Sequence, residues 1–333
     1  MDCGEGEART LRDRAFFTRF ANFGNDLLCY APSLVPYSVD QFDPGDNNEF
    51  LSFSITGTRC QLRCEHCQAK ILSSMHPITS PEELYQTVKD CVLKQGCRGI
   101  LVSGGSDANG EVPFTGYPIV LHRLKDDFGI TCIVHSGLLR EDIARELAQA
   151  SVDAVMIDVI GDQQTIRNVC HLDRPVTDYE ETLQILDTSG IPSVPHIVVG
   201  LNYGELKGEI SALEMLARHT PAALVIVVLV PEEGTPMESV SPPDLSAVSR
   251  FITLSRLTLP KTPILLGCAR PGGEYKQKLE ISAIQGGING IAYPCQEAVN
   301  YCQKHQFHLV FSRTCCSLAY RYYQPRSGGN SNK

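Results

Sequence analysis

Three cysteines lie close together in the stretch TRCQLRCEHCQ, which covers residues 59–69. Cys60, Cys64 and Cys67 are separated by three and by two residues, so one short loop carries three thiols. An odd number neither pairs off as disulfides nor completes a four-ligand zinc site. Thiolates are soft ligands that select zinc, copper(I) or iron–sulfur clusters, and three of them can hold three irons of a four-iron cube. The alternatives are three unrelated buried cysteines and part of a zinc site.

The elements that would position this loop alternate between strand-like and helix-like segments. Amphipathic helices are predicted between the strands, and the first of them starts at the capping box of Ser80 and ends at Gly96. Eight strand–helix units match the size of a closed α/β barrel of the TIM type, (β/α)8, with a possible ninth strand at 307–312. Near-continuous apolar runs predict its parallel strands at 50–56, 98–103, 130–135, 152–159, 193–199, 223–230, 263–267 and 288–293.

This alternation also sets the domain boundaries. Residues 1–49 show no clear period and are interpreted as an N-terminal extension packed outside the barrel. Residues 50–312 form the barrel, and residues 313–333 form a C-terminal segment that carries cysteines and ends in the tail RSGGNSNK. That tail is polar and rich in glycine, which predicts disorder. Cys60 follows the first barrel strand, so the cysteine loop is expected at the C-terminal mouth, where barrel enzymes carry their chemistry.

The cysteine spacing, in a loop after the first strand of such a barrel, resembles the radical S-adenosylmethionine (SAM) superfamily. The resemblance implies a [4Fe-4S] cluster on Cys60, Cys64 and Cys67, with SAM at the open iron. It also implies reductive cleavage of SAM to a 5′-deoxyadenosyl radical, fed by an electron donor such as ferredoxin or flavodoxin. No catalytic side chain is expected beyond the cluster and SAM, because the cofactor carries the hard chemistry.

Further motifs at strand ends resemble parts of the SAM pocket in that superfamily. By this resemblance, the backbone of a glycine pair meets the methionine amino group, an aspartate meets a ribose hydroxyl and an arginine meets the SAM carboxylate. The stretches HIVVGLNYGE and LVPEEGTPM would flank the adenine and the nucleoside. Asp158 as a helix cap and Arg174 in a surface ion pair remain alternatives. The residues concerned are Gly104, Gly105, Asp158, Arg174, His196 and Val230.

The glycine pair gives a specific expectation. Close approach of the backbone to a ligand needs the missing side chain. On that basis, Gly105→Val should weaken SAM binding while the iron content stays normal.

A second group of cysteines follows the last predicted strands. Cys268 ends the seventh strand in LLGCARP, and Cys315 and Cys316 are adjacent in SRTCCSL. We interpret these three as ligands of an auxiliary iron–sulfur cluster, which Arg270 or Ser312 could complete. Adjacent cysteines in an extended chain point in opposite directions, so both reach one cluster only from a turn.

The stretches FSITGTRCQLRCEHCQAKIL, GILVSGGSDANGEVP and TCCS together resemble the biotin synthase-related branch of the superfamily. This branch includes a subunit of the two-component, archaeal-type lipoyl synthase. The resemblance implies sulfur insertion into the octanoyl chain of a lipoyl carrier protein, with a sister radical SAM subunit as partner. The alternatives are a biotin synthase-like or hydrogenase-maturase-like reaction on a small molecule, and a non-catalytic iron–sulfur or zinc protein.

Composition and charge narrow the class of protein. The 333 residues are 43% apolar, which suits a soluble globular chain. The net charge of −9 argues against general nucleic-acid binding, which requires a basic face. The start of the chain lacks the apolar segment of a signal peptide, and the apolar run 222–230 is too short to cross a bilayer. With 14 cysteines expected as free thiols or metal ligands, a cytoplasmic protein without a membrane partner is predicted.

Overall fold

A computed structural model describes residues 5–33, 35–45 and 48–324 of the chain. Its core is one parallel sheet in which the described residues contribute 11 strands. The predicted disordered tail, residues 326–333, lies outside the described residues. The strands are β1 Asp26–Tyr30, β2 Phe50–Ser54, β3 His76–Pro77, β4 Gly99–Ser103, β5 Thr131–His135, β6 Ala154–Asp158, β7 Ser193–Val199, β8 Leu224–Val228, β9 Ile264–Leu266, β10 Gly290–Ala292 and β11 His308–Ser312.

The strand order confirms the predicted α/β barrel architecture, with one difference in closure. The sheet runs in the order β11-β1-β10-β9-β8-β7-β6-β5-β4-β2-β3. Consecutive strands from β4 to β10 are neighbours, as strand–helix–strand units require. All eight predicted strands and the possible ninth are present. Because β11 and β3 stand at opposite ends of this order, the described sheet is a half-barrel rather than the closed ring that was expected.

The N-terminal segment differs from its prediction. Asp26–Tyr30 was assigned to an extension outside the barrel, but it is β1 and pairs in parallel with both β10 and β11. That part of the prediction is wrong. A run of five residues, DLLCY, is too short to show a period, and its burial depends on partners more than 250 residues later in the chain.

The helices cover the outer face of the sheet. Ser80 caps α2 by accepting a hydrogen bond from the Glu83 N–H, and Gly96 ends this helix in the left-handed conformation, as predicted. Within the described residues, no helix is both long and apolar enough to cross a membrane. The helices are α1 Glu5–Phe23, α2 Pro81–Gln95, α3 Tyr117–Phe128, α4 Glu141–Gln149, α5 Gln163–Asn168, α6 Thr177–Ser189, α7 Glu209–Leu216, α8 Leu245–Thr258, α9 Gly273–Gln285, α10 Gln296–Lys304 and α11 Tyr320–Tyr323.

Two apolar cores lie on the two faces of the sheet. Along β6, Val155 and Ile157 belong to the larger core between sheet and helices, whereas Met156 belongs to a second core on the inner face. This alternation is the period of two that a strand imposes. The C-terminal segment, residues 313–324, supplies Leu318 and Tyr320 to the inner core. Residues 313–324 therefore pack on the inside of the half-barrel.

A buried ion pair holds the end of β9 in place. The Arg270 guanidinium lies 2.5 Å from the Glu280 carboxylate, and both side chains are almost fully buried. Its Nη1 also donates to the Gly267 carbonyl at 2.5 Å, and its Nη2 to the Ala292 carbonyl at 2.6 Å. With all three guanidinium nitrogens directed at oxygen atoms, Arg270 is not available as a cluster ligand. The alternative that gave it this role is wrong.

We expect Glu280→Ala to lower the free energy of unfolding by about 3–5 kcal/mol, because it leaves the Arg270 charge buried and unpaired. The matched control on the same helix is Glu274→Ala, which breaks an exposed pair with Lys278 and should leave the free energy of unfolding almost unchanged. Equilibrium urea unfolding of both variants makes the comparison. Equal losses would contradict a structural role for the buried pair.

Candidate active site

The cysteine loop follows β2 at the carboxyl end of the sheet. One ligand atom each from Cys64, His66 and Cys67 lies within 4.8 Å of the other two. Cys60 is near enough for its charge to raise the pKa of the Cys64 thiol. All three cysteines are partly exposed, so a ligand can reach them. The structure thus brings Cys64 and Cys67 together with His66, while Cys60 lies on the same loop outside this group.

A contact with a distant segment fixes the shape of this loop. The Glu65 N–H donates to the Val169 carbonyl at 2.8 Å. The ring of His171 bridges the loop, with Nδ1 2.8 Å from the Leu62 carbonyl and Nε2 2.8 Å from the Glu65 carboxylate. The sequence analysis did not single out His171. No local spacing marks it, because it lies 106 residues after Glu65.

The loop also contains strained backbone. Arg63, Gln68 and Ala69 have φ values of 46°, 46° and 62°, in the left-handed region that residues other than glycine seldom adopt. The Gln68 side chain holds this turn closed by donating to the Arg63 carbonyl at 2.7 Å and to the Cys64 carbonyl at 3.1 Å. Such conformations persist where the surrounding contacts determine them, and they are frequent at functional sites.

The pKa values of Cys64 and Cys67 are raised, which favours the protonated form of these two thiols when no metal is bound. A hydrogen bond with Cys170 is the main cause that raises the pKa of Cys64. A hydrogen bond with Cys64, followed by burial, raises the pKa of Cys67 to about 12. His66 opposes this rise, and its Nδ1 is buried without a partner among the described residues. Metal binding to these thiols would therefore release protons.

The glycine pair after β4 packs directly on the cysteine loop. A Cβ on Gly105 would lie 2.0 Å from the Arg59 carbonyl oxygen and 2.5 Å from the Cys60 Cβ. A Cβ on Gly104 would lie 3.1 Å from Thr56, whose hydroxyl accepts a hydrogen bond from the Gly105 N–H at 2.7 Å. The expectation that a side chain at Gly105 leaves the iron content normal does not fit this packing, because the side chain would displace Cys60 itself. Contact with SAM remains a prediction for both glycines.

Three polar residues meet on the inner face of the sheet. Asp158 ends β6 and stands opposite His196 of β7 in the strand register, while His135 ends β5 opposite Met156. One ligand atom each from His135, Asp158 and His196 lies within 4.8 Å of the other two. Asp158 therefore faces the inside of the half-barrel instead of capping a helix. The N-cap of α5 is Asp162.

The charges of these three residues shift each other's pKa values and that of His66 in the cysteine loop. Burial opposes ionisation of Asp158, but the charge of His135 and its hydrogen bond outweigh burial and lower the Asp158 pKa to about 2. Burial and the His135 charge lower the pKa of His196 to about 4. Burial opposes the charge of His66, but a hydrogen bond with Cys67 and the charges of Cys67 and Asp158 raise its pKa. The charges of the polar cluster and of the cysteine loop therefore act on each other.

The second group of thiols interacts electrostatically with the polar cluster through His135. Burial and then the charge of Cys315 raise the pKa of Cys268, which is exposed after β9. A hydrogen bond from Cys316 lowers the pKa of Cys315 to about 7, and the charge of His135 contributes to this shift. The 3-10 helix Cys316–Leu318 begins right after Cys315, which is the turn that two adjacent ligands require. Ligation of a second cluster by these thiols stays a prediction.

Two residues that were predicted to bind SAM, Arg174 and Val230, lie outside the polar cluster and the cysteine loop. The Arg174 guanidinium pairs with Asp178 one helical turn later, and its side chain is 41% exposed. This is the surface ion pair that was the alternative for Arg174. Val230 follows β8 and is exposed, as a residue that flanks a nucleoside would be. Their roles toward SAM remain predictions.

Comparison with known proteins shows what this chain is similar to. The radical SAM superfamily model matches residues 54–209, which begin at the end of β2 and include the cysteine loop. Biotin synthase of Prochlorococcus marinus is 26% identical over 248 residues, covering 72% of each chain. Biotin synthase of Halorhodospira halophila is 24% identical over 267 residues, covering 75% of this chain and 77% of that protein.

Solved structures agree on the fold. Methylornithine synthase superposes with a TM-score of 0.63 at 15% identity, covering 97% of this chain and 93% of its own. The FeFe-hydrogenase maturase HydG from Carboxydothermus hydrogenoformans gives a TM-score of 0.63 at 15% identity, with coverages of 97% and 79%. Taken with the cysteine loop inside the matched segment, these results make the chain similar to radical SAM superfamily proteins over residues 54–209, with biotin synthase-like relatives at low identity.

Proposed function

We propose that this radical SAM enzyme inserts sulfur into an unactivated C–H bond of a protein-bound octanoyl chain. The observation that carries the proposal is that both thiol groups interact electrostatically with the same polar cluster. Cys67 and Asp158 both act on His66, and Cys315 acts on His135 of that cluster. A radical site and a sulfur source must lie near each other for sulfur to reach a carbon radical.

The cysteine loop fits the iron–sulfur cluster that the family implies. Its donor set is soft, since Cys60, Cys64 and Cys67 would supply three thiolates and leave one iron open to SAM. When bound, the cluster and SAM supply the one-electron cleavage that produces a carbon radical. The protein contributes the strained loop that orients the thiols and the glycine pair that packs behind Cys60. Gly104, Gly105, Arg174 and Val230 are proposed for the SAM pocket.

The second thiol group is proposed to hold the auxiliary cluster that provides the sulfur. Cys315 packs against the inner core, and Cys268 is exposed just after β9. The similar proteins reported above are biotin synthases, which insert sulfur. This similarity supports sulfur chemistry for the present chain. The octanoylated lipoyl carrier protein, a sister radical SAM subunit and an electron donor such as ferredoxin or flavodoxin are the partners proposed with it.

A second candidate is a radical reaction on a free small molecule. The observation in its favour is the polar inner wall formed by His135, Asp158 and His196, which suits a polar substrate better than an acyl chain. An octanoyl peptide and dethiobiotin, each offered with SAM and a reductant, separate the two reactions. Thiolated octanoyl peptide supports the first candidate, and turnover of dethiobiotin alone supports the second.

We expect Cys60→Ala, Cys64→Ala and Cys67→Ala each to reduce 5′-deoxyadenosine formation to background. Two thiolates cannot hold three irons of the cube. Cys91→Ala is the control, because Cys91 is a buried core cysteine on α2. Circular dichroism should match the wild type in all four variants. Normal 5′-deoxyadenosine formation in any of the three loop variants would refute the ligand assignment.

We expect Gly105→Ala to lower the iron bound at the cysteine loop, because even one methyl group would collide with the Arg59 carbonyl and with Cys60. The loss should approach one cluster's share of the total iron, with SAM cleavage falling in parallel. Gly272→Ala is the control, since no atom lies within 4 Å of a Cβ built there. Iron analysis after anaerobic reconstitution measures the effect. Normal iron with weakened SAM binding would instead restore a direct contact between Gly105 and SAM.

We expect the triple variant Cys268→Ala, Cys315→Ala and Cys316→Ala to keep SAM cleavage and to lose sulfur transfer to the octanoyl peptide. Iron and sulfide should fall by about one cluster's share, because each cluster needs its own thiolates. Iron, sulfide, 5′-deoxyadenosine and thiolated peptide are measured on the same preparation. Full iron and sulfide in the triple variant would show that these residues hold no second cluster, and would leave the small-molecule reaction or sulfur supplied by a partner.

A further inference from the structure

The inner wall beside the cysteine loop contains a ligand set that belongs to neither thiol group. His135, Asp158 and His196 come from three consecutive strands, β5, β6 and β7, and point to the inner face. The His135 Nε2 lies 3.6 Å from the Asp158 Oδ1, and the two imidazole rings are 5.6 Å apart between centroids. Strands of the sheet position all three, so the arrangement does not depend on a loop.

The backbone fixes which nitrogen of His196 is free. Its Nδ1 lies 3.0 Å from the Val194 carbonyl, which can only accept a hydrogen bond. The ring proton therefore sits on Nδ1, and the lone pair of Nε2 is left for another ligand. A histidine that binds a metal through one nitrogen ordinarily donates its other N–H to such a carbonyl or to a carboxylate.

We propose that His135, Asp158 and His196 bind one divalent first-row transition metal ion on the inner wall. Two imidazoles and one carboxylate are the ligand set that holds mononuclear iron(II), manganese(II) and similar ions with further positions open. The side chains of His135 and Asp158 are 27% and 48% exposed, so these open positions face the space next to the cysteine loop. A small oxygen or sulfur ligand on the substrate is the group that would bind there.

An ion pair between His135 and Asp158 alone does not account for the third residue. His308 and Asp26 form such a pair on the outside of the protein, with 2.8 Å between Nδ1 and Oδ1, and no second histidine or cysteine completes a ligand group with them among the described residues. This outer pair is therefore a matched control. It has the same chemistry without a third ligand.

Mn²⁺ is the probe, because it prefers oxygen and nitrogen ligands to the thiolates elsewhere in the protein. The enzyme is reconstituted with iron and sulfide, freed of loosely bound metal and titrated with Mn²⁺, and the free ion is followed by its electron paramagnetic resonance. We expect a single Mn²⁺ per wild-type chain. His135→Ala, Asp158→Asn and His196→Ala should each weaken its binding by roughly 10-fold or more, and His308→Ala should leave it unchanged.

Iron content and SAM affinity are measured on the same variants. Normal iron shows that the variants have folded and carry their clusters. The proposal is overturned if the wild type binds no Mn²⁺ in this way, or if the three inner variants bind it as the wild type does. The proposal is also overturned if the wild type has no Mn²⁺ site and Asp158→Asn binds SAM weakly. That result would support a contact between Asp158 and the ribose of SAM. None of these results depends on sulfur transfer, so the proposed function is tested separately.

Discussion

The close packing of the glycine pair on the cysteine loop is the constraint on which the rest of the site depends. β2 and β4 are hydrogen-bonded neighbours, so the loops that leave their carboxyl ends must pass each other. Only a residue without a side chain fits at Gly105, because a Cβ would lie 2.0 Å from the Arg59 carbonyl. The Gly105 N–H then fastens the two loops through Thr56 at 2.7 Å. The position of Cys60 is therefore set by the sheet and not by the metal that it would bind.

Much of this arrangement could be predicted from the sequence, because its signals are local. Apart from the two-residue β3, the strands from β2 to β11 carry apolar runs. The caps of α2 are also visible in the sequence, as Ser80 before the helix and Gly96 after it. The cysteine spacing is likewise local. β1 and the open form of the sheet could not be predicted, since both depend on which strands pair across the full length of the chain.

Some residues of the candidate site were also missed in the sequence, because their roles depend on partners far away in the chain. His135 ends the run ITCIVH and carries no motif, and it becomes a candidate only when the strand register sets it beside Asp158. His171 acts on the cysteine loop across 106 residues. Arg270 was a candidate ligand from its place near Cys268, and only its buried partner Glu280 shows that its charge is already satisfied. Register and long-range partners are properties of the fold, and no short stretch contains them.

The two layers of the inner face bear on which substrate the half-barrel can hold. Met156, Val194 and Leu318 form an apolar layer, and Asp158 and His196 lie two residues farther along the same strands, nearer the mouth. An acyl chain would have to pass these polar residues to reach the apolar layer, whereas a free polar molecule would stop at the polar layer, because burying its charged groups among apolar side chains is unfavourable. Cys316 belongs to the apolar inner core, and Cys315 packs against it. The polar layer needs a partner of its own, which a bound metal ion would provide.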